Sequence, residues 1–263
     1  SSIRGWVYNH YGSYADSSTY KIEPLYVSDI EFGAGPPNIM DVSRDPCVPG
    51  VDDVVTITAE IVDNSMISEA SIYYRLDEGA WNTVALSATG DGVWSGTIPS
   101  SGTEGAFLEY FVKAADDGAD QSEIKWSEFP DAENGNYLGY ATSNDELTLQ
   151  HVQFSPWPNG ESPYNGCEVT VMGIVTADSA QYNSGYGAYA FQSESEQWSG
   201  VVFDGWDNSI LHRGDEITVT GKVEEFDPEW HLKYDGNTKL IDVSEVTVHS
   251  TGNSIAPMSV STE

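Results

Sequence analysis

Three aspartates within five residues, Asp116-Asp117-Gly118-Ala119-Asp120, are the densest chemistry in this sequence. Hard cations such as Ca2+ collect several oxygen ligands from carboxylates and loop carbonyls. The cluster closes an apolar run that reads as a strand, so Asp116, Asp117 and Asp120 are candidate Ca2+ ligands. A solvated turn is the competing reading. Asp52-Asp53 and Asp63-Asn64 are lesser versions of the same pattern, and none fits the EF-hand loop.

Cys47 and Cys167 leave two readings open. They could pair as a disulfide between domains in an oxidising compartment, or stand as two separate buried thiols. Neither has a second Cys or a His at metal-ligand spacing. The five histidines, His10, His151, His212, His231 and His249, are scattered without His-x-x-x-His or Cys-His spacing. No nucleophile elbow, phosphate loop or dinucleotide fingerprint occurs. Close carboxylate pairs are expected by chance among 42 acidic residues. The sequence therefore does not read as an enzyme.

Those 42 acids face only 10 Lys and Arg, a net charge of −32. Such a surface repels nucleic-acid phosphates and anionic membranes, and suits a saline or calcium-rich exterior. No apolar run approaches the roughly 18 residues of a membrane span. No basic-then-apolar leader is present, so any signal peptide is expected to have been removed or to lie upstream. The expected location is extracellular or at a cell surface.

The elements that would position these residues are strands. Val54–Ile61 alternates apolar and polar positions, as a half-buried strand does. Ala70–Leu76, Trp81–Leu86, Val93–Ile98 and Leu108–Ala114 continue the series, with Asp91-Gly92 as a hairpin-turn signal. Short strands at about ten-residue spacing predict a β-sandwich over 35–130. Residues 117–146 are polar and read as irregular connection, with 131–146 a linker. A second set follows in 147–250: Glu168–Val175, Ala188–Gln192, Gly200–Phe203, a short helix or turn at Asp207–Leu211, Asp215–Val223 and Ile241–Val248. Five short strands with a small helix after the third is the order of an OB-fold barrel. The predicted fold class is all-β, with a tail at 251–263.

Val55-Thr56-Ile57-Thr58-Ala59, Ile72-Tyr73-Tyr74, Trp94–Pro99 and Glu109–Asp116 resemble immunoglobulin-like or fibronectin-like modules of large secreted bacterial proteins. Val169–Thr176, Tyr189–Gln192, Gly200–Phe203 and Gly214–Gly221 resemble the OB-fold domains found beside nuclease, lamin-tail and immunoglobulin-like modules in such proteins. The first resemblance implies a spacer or binding platform. The second implies binding of single-stranded nucleic acid by stacking bases on aromatics in a basic groove. Tyr182, Tyr186, Tyr189, Phe191, Trp198, Phe203, Trp206 and Trp230 could supply rings, but the domain has few basic residues. Nucleic acid is thus disfavoured, and sugar stacking carries no such charge penalty.

A repeat ties the two ends of the chain together. Displaced by 216 positions, Gly5 falls on Gly221, Val7 on Val223, Val27 on Val243 and Ser28 on Ser244. Ile3 falls on Val219, Asp29 on Glu245, Ile30 on Val246 and Phe32 on Val248. Residues 1–34 are accordingly expected to be the rear strands of a barrel, Ile3–Val7 and Val27–Phe32, joined by a Tyr8–Thr19 loop. The barrel's front strands are expected upstream in a longer protein or from another source. Unpaired edges and an apolar face favour strand addition, through Ile3, Gly5, Val7, Val27, Ile30 and Phe32. Val260, in the segment Ser254–Thr262, would belong to a donated strand. The expected function is a non-catalytic structural or adhesive surface protein that self-associates head to tail or holds other surface proteins. The alternative is an accessory nucleic-acid- or glycan-binding module of a secreted nuclease or other hydrolase.

Overall fold

A computed structural model describes residues 2–3, 5–10, 19–26, 30–31, 35–119, 123–178, 188–204, 206, 211–225 and 238–257. The described elements are nearly all strands, in several antiparallel sheets.

At the N-terminus, β1 (Ser2–Ile3), β2 (Trp6–His10), β3 (Thr19–Glu23) and β4 (Ile30–Glu31) form a twice-paired ribbon. β2 runs antiparallel to β3, and β1 antiparallel to β4. The expected Tyr8–Thr19 loop is thus shorter at both ends, because Tyr8–His10 and Thr19 pair as strand.

The next unit has two sheets. One has the order β5-β6-β10-β9 and the other β12-β11-β7-β8. The strands are β5 (Asn38–Asp45), β6 (Val55–Val62), β7 (Ile67–Leu76), β8 (Asn82–Ala85), β9 (Ser87–Gly90), β10 (Val93–Ile98), β11 (Phe107–Asp116), β12 (Trp126–Phe129) and β13 (Leu138–Ala141). Alternation does the sorting. Val55, Ile57, Ala59 and Ile61 of β6 and Leu108, Tyr110, Val112 and Ala114 of β11 enter one core, as a period of two requires. Between β9 and β10, Asp91 and Gly92 both have positive φ, 52° and 79°. That is the mirror-image turn whose twist suits a two-residue hairpin.

Residues 117–146 are more structured than their polarity predicts. β12 pairs with the second half of β11, and β13 with its first half, Phe107↔Ala141 to Tyr110↔Leu138. The segment expected as a 131–146 linker therefore contributes a strand to the sheet. Its outer edge meets no further strand: the Gly139 carbonyl accepts from Arg44, and the Ala141 amide donates to the Tyr164 hydroxyl.

A short helix α1 (Leu149–Gln153) leads into the last unit. Thr148 caps it: its side chain accepts from the His151 amide, and the His151 ring accepts from the Thr148 amide. The barrel that follows is closed in the order β14-β15-β16-β18-β17. Its strands are β14 (Glu168–Ala177), β15 (Tyr189–Gln192), β16 (Gly200–Phe203), β17 (Glu216–Glu225) and β18 (Thr238–Ser250). All neighbours are antiparallel except β16 and β18. Val169, Val171, Val175, Tyr189, Phe191, Phe203, Ile217, Val219, Val223 and Leu240 fill it. Of the expected Asp207–Leu211 helix, only Leu211 lies among the described residues, buried in this core.

Barrel and sheets meet through specific side chains. Cys47, after β5, is disulfide-bonded to Cys167, before β14, with Cα atoms 5.6 Å apart. The Arg44 guanidinium lies 5.3 Å from both the Tyr140 and the Tyr164 ring centroids. Its Nε donates to the Cys47 carbonyl and its Nη1 to the Gly139 carbonyl, each at 2.9 Å. Trp157 lies on the sheet and donates from its indole nitrogen to Glu109 at 2.9 Å.

Candidate functional site

The ribbon's pairing can be set beside that of β17 and β18, its partner in the repeat. Ile3 faces Ile30 and Ser2 faces Glu31. Displaced by 216, these pairs become Val219 with Val246 and Thr218 with Thr247, which are the pairs formed in the barrel. Beyond a break in register, Val7 faces Ile22. In the barrel Val223 faces Leu240, again past a break, between Thr220 and Lys222.

The break coincides with the shared glycine. A Cβ on Gly5 would lie 2.2 Å from the Glu23 carbonyl oxygen, and one on Gly221 would lie 3.0 Å from that of Ile241. In both ribbons the glycine lets the opposite backbone come close where the strand bends. The ribbon differs by two residues between its paired segments: eight positions separate Ile22 from Ile30, and six separate Leu240 from Val246.

Burial separates the copies. Val223 and Leu240 are fully buried, whereas Val7 is 61% and Ile22 46% exposed. Directly opposed residues project to the same face, so Val7 and Ile22 present one apolar face to solvent. Trp6, Leu25 and Tyr26 are exposed as well. The outer edges of β2 and β3 correspond to those that β17 gives to antiparallel β14 and β18 gives to parallel β16.

Of the other expected interface residues, Val27, Phe32 and Val260 lie outside the described residues, as do the side chains of Ile3 and Ile30. The donated strand is not seen in the part of Ser254–Thr262 that is described. Residues 254–257 form no strand, and Asn253 ties the tail to its own barrel by donating backbone and side-chain N–H groups to the Gly214 carbonyl. The Ala256 carbonyl accepts from the Ser195 hydroxyl.

The acidic cluster folds onto its own loop. Asp116 is buried, and its Oδ1 accepts from the Gly118 and Lys125 amides at 3.0 and 2.8 Å. Its Oδ2 is buried with no hydrogen-bond partner. Asp117 accepts from the Ala119 amide at 3.1 Å, and Asp120 lies outside the described residues. Among the described residues no group of three His, Cys, Asp or Glu side chains is placed to hold a metal ion.

The barrel's aromatics divide. Tyr189, Phe191 and Phe203 are core, Trp206 packs partly against it, and Trp198 is exposed. Tyr182, Tyr186 and Trp230 lie outside the described residues.

Two polar constellations escaped the sequence reading. Glu109, buried in the sheet, receives the Arg75 guanidinium at 2.7 Å on one oxygen and the Trp157 indole on the other. Arg75 in turn lies over the Trp81 and Tyr137 rings, 4.6 and 5.1 Å from their centroids. Around Arg44, burial pushes the phenols of Tyr110, Tyr140 and Tyr164 above their ordinary pKa, and the guanidinium's charge only partly opposes this. These groups join structural units and form no acid–base pair with one another. No protein-family model matches the chain, and no curated protein does either.

Proposed function

We propose that this chain is a non-catalytic, extracellular structural or adhesive protein that associates head to tail. In this reading residues 1–34 are the rear of an OB-like barrel, completed by strands of a neighbouring chain. An immunoglobulin-like sandwich and a whole OB-fold barrel follow. The observation that carries the proposal is the pairing of the ribbon: Ile3 with Ile30 repeats Val219 with Val246 at the same displacement, and Val7 with Ile22 parallels Val223 with Leu240 two residues out of step. A ribbon that buries this face in one place and exposes it in another is one that takes covering strands.

The strand orders support the finer fold reading. Sheets β5-β6-β10-β9 and β12-β11-β7-β8 match the A-B-E-D and G-F-C-C′ orders of immunoglobulin-like sandwiches. A five-stranded closed barrel with the single parallel pair β16 and β18 matches the OB-fold. The Cys47–Cys167 bond favours an oxidising, extracellular setting. Donor and acceptor surfaces that differ make a heterologous contact, which extends rather than closes.

Light scattering on the chain, taken from sub-micromolar to high micromolar concentration, tests the proposal. The mass is expected to climb in steps of 28.6 kDa, and Val7→Asp is expected to stop the climb. A single 28.6 kDa species at every concentration would reject it.

A further inference from the structure

The interdomain seam holds a cleft of about 260 Å3, away from the ribbon. Phe107 and Ala141 line it from the sheet, and Tyr164 and Phe154 from the segments flanking α1 and β14. Gln197 and Trp198, from the β15–β16 loop, complete the far wall with Gln150 and His151 of α1. Every one of these side chains is neutral or, at His151, a weak base, in a chain of net charge −32.

Two rings stand out on this wall. Phe154 and Trp198 meet edge to face with centroids 6.0 Å apart, yet they are 43% and 46% exposed. Trp198 also sits at φ +65°, a left-handed conformation that bulky residues avoid. The loop enforces it: the buried Ser199 hydroxyl shares its one hydrogen between the Glu194 and Glu196 carbonyls, 2.8 and 2.7 Å away, and the Ser193 amide donates to the Ser199 carbonyl at 2.9 Å. A large ring held out to solvent on a strained backbone gives packing no return for the strain, and such outliers gather at ligand clamps.

The polar groups at the rim are ordered too. His151 Nδ1 accepts from the Thr148 amide, so the neutral ring carries its proton on Nε2 and has a donor to offer. The Gln150 amide nitrogen faces Glu196 at 3.5 Å, and the Gln197 amide lies beside the indole in sequence.

From this we infer that the cleft binds one ring of a neutral carbohydrate. The apolar face of the sugar would stack on Trp198, with Phe154, set at 84° to it, against the sugar's edge. Its hydroxyls would meet the amides of Gln150 and Gln197 and the Nε2–H of His151. The acidic surface opposes uronic, sulfated and phosphate-bearing polymers alike, and the cleft's lining holds no carboxylate to pair with a cation, so a neutral ligand fits it best. A pocket that is mainly apolar with a few oriented polar groups has the general form of a small-ligand site, and this one is small enough to suit a single ring.

The test is isothermal titration of the 263-residue chain with gluco-, xylo-, manno- and chito-oligosaccharides, alongside polygalacturonate and a proline-rich peptide. At least one neutral sugar is expected to bind. Trp198→Ala and Phe154→Ala should each weaken it about tenfold or more, while Trp126→Ala, on β12, leaves it unchanged. Circular dichroism and thermal melts establish that each variant is folded. The inference is overturned if no neutral sugar binds, if binding survives both cleft variants, or if only the acidic polymer or the peptide binds. This outcome is independent of the light-scattering result, since the ribbon contributes nothing to the cleft.

Discussion

Val7 lies directly across the ribbon from Ile22, and the pair turns outward the same face that Val223 and Leu240 bury in the barrel. The pair at Ile3 and Ile30 recurs in the same register as Val219 and Val246, and the second pair is offset by two residues, which keeps Val7 and Ile22 on one face. Register is a demanding criterion, because a slip of one residue would send every side chain to the opposite face.

The glycines should respond alike. Gly5→Val places a Cβ against the Glu23 carbonyl and is expected to abolish pairing of Trp6–His10 with Thr19–Glu23. Amide hydrogen exchange across those residues reads it directly. Gly221→Val meets the Ile241 carbonyl less severely and should cost the barrel about 1–3 kcal/mol in urea unfolding. Unchanged exchange in the first variant would remove the bend from the ribbon.

Reduction of Cys47–Cys167 opens a crosslink spanning 120 positions. Chain-entropy arguments put the loss near 4–5 kcal/mol for a loop of that order. Equilibrium unfolding with and without reductant, and of Cys47→Ser/Cys167→Ser, should agree. A loss under about 1 kcal/mol would show that Arg44, Tyr140 and Tyr164 hold the seam unaided.

Glu109 is expected to be the least replaceable charge in the sheet. Glu109→Ala leaves the Arg75 guanidinium and the Trp157 indole without their acceptor, a change worth about 3 kcal/mol or more. Glu109→Gln keeps one acceptor for Trp157 and should lose less. Thermal melts of the two variants, ordered in that way, would place the sheet–seam bond on the carboxylate.

Alkaline pH should unfold the protein through its tyrosines. Burial raises the phenols of Tyr110, Tyr140 and Tyr164 above 10. The folded state therefore keeps protons that the unfolded chain releases as pH passes its ordinary tyrosine value of about 10. Stability from these groups is intact below that value and declines above it. Tyrosinate absorbance followed alongside near-UV dichroism through an alkaline titration checks this, with ionisation of these phenols expected to coincide with loss of the dichroism.

Strands that alternate cleanly were legible without coordinates. Val54–Ile61 and Glu168–Val175, read from their alternation, occur as Val55–Val62 and Glu168–Ala177. Trp126–Phe129 and Leu138–Ala141 were not legible, because each is only four residues long and takes its place along β11 through long-range pairing. The ribbon's apolar positions could be read from the repeat, but its hairpin could not: Tyr8, Asn9 and His10 look like loop residues until they pair with Thr19–Lys21. Glu109 and Trp157 are 48 residues apart, and no local spacing announces a bond of that kind. The cleft rings were half visible. Trp198 stood among the candidate stacking residues, while Phe154 gained its meaning only from the fold that faces it.

The cystine also determines how this chain would carry a load. Pulled from its two ends, the molecule transmits tension from Cys47 straight to Cys167, and the residues between them bear none. With 120 positions enclosed, roughly 400 Å of polypeptide is withheld from extension. Most of the sandwich becomes a sheltered side branch, and its first strand β5, which precedes Cys47, stays in the line of force with the ribbon and the barrel.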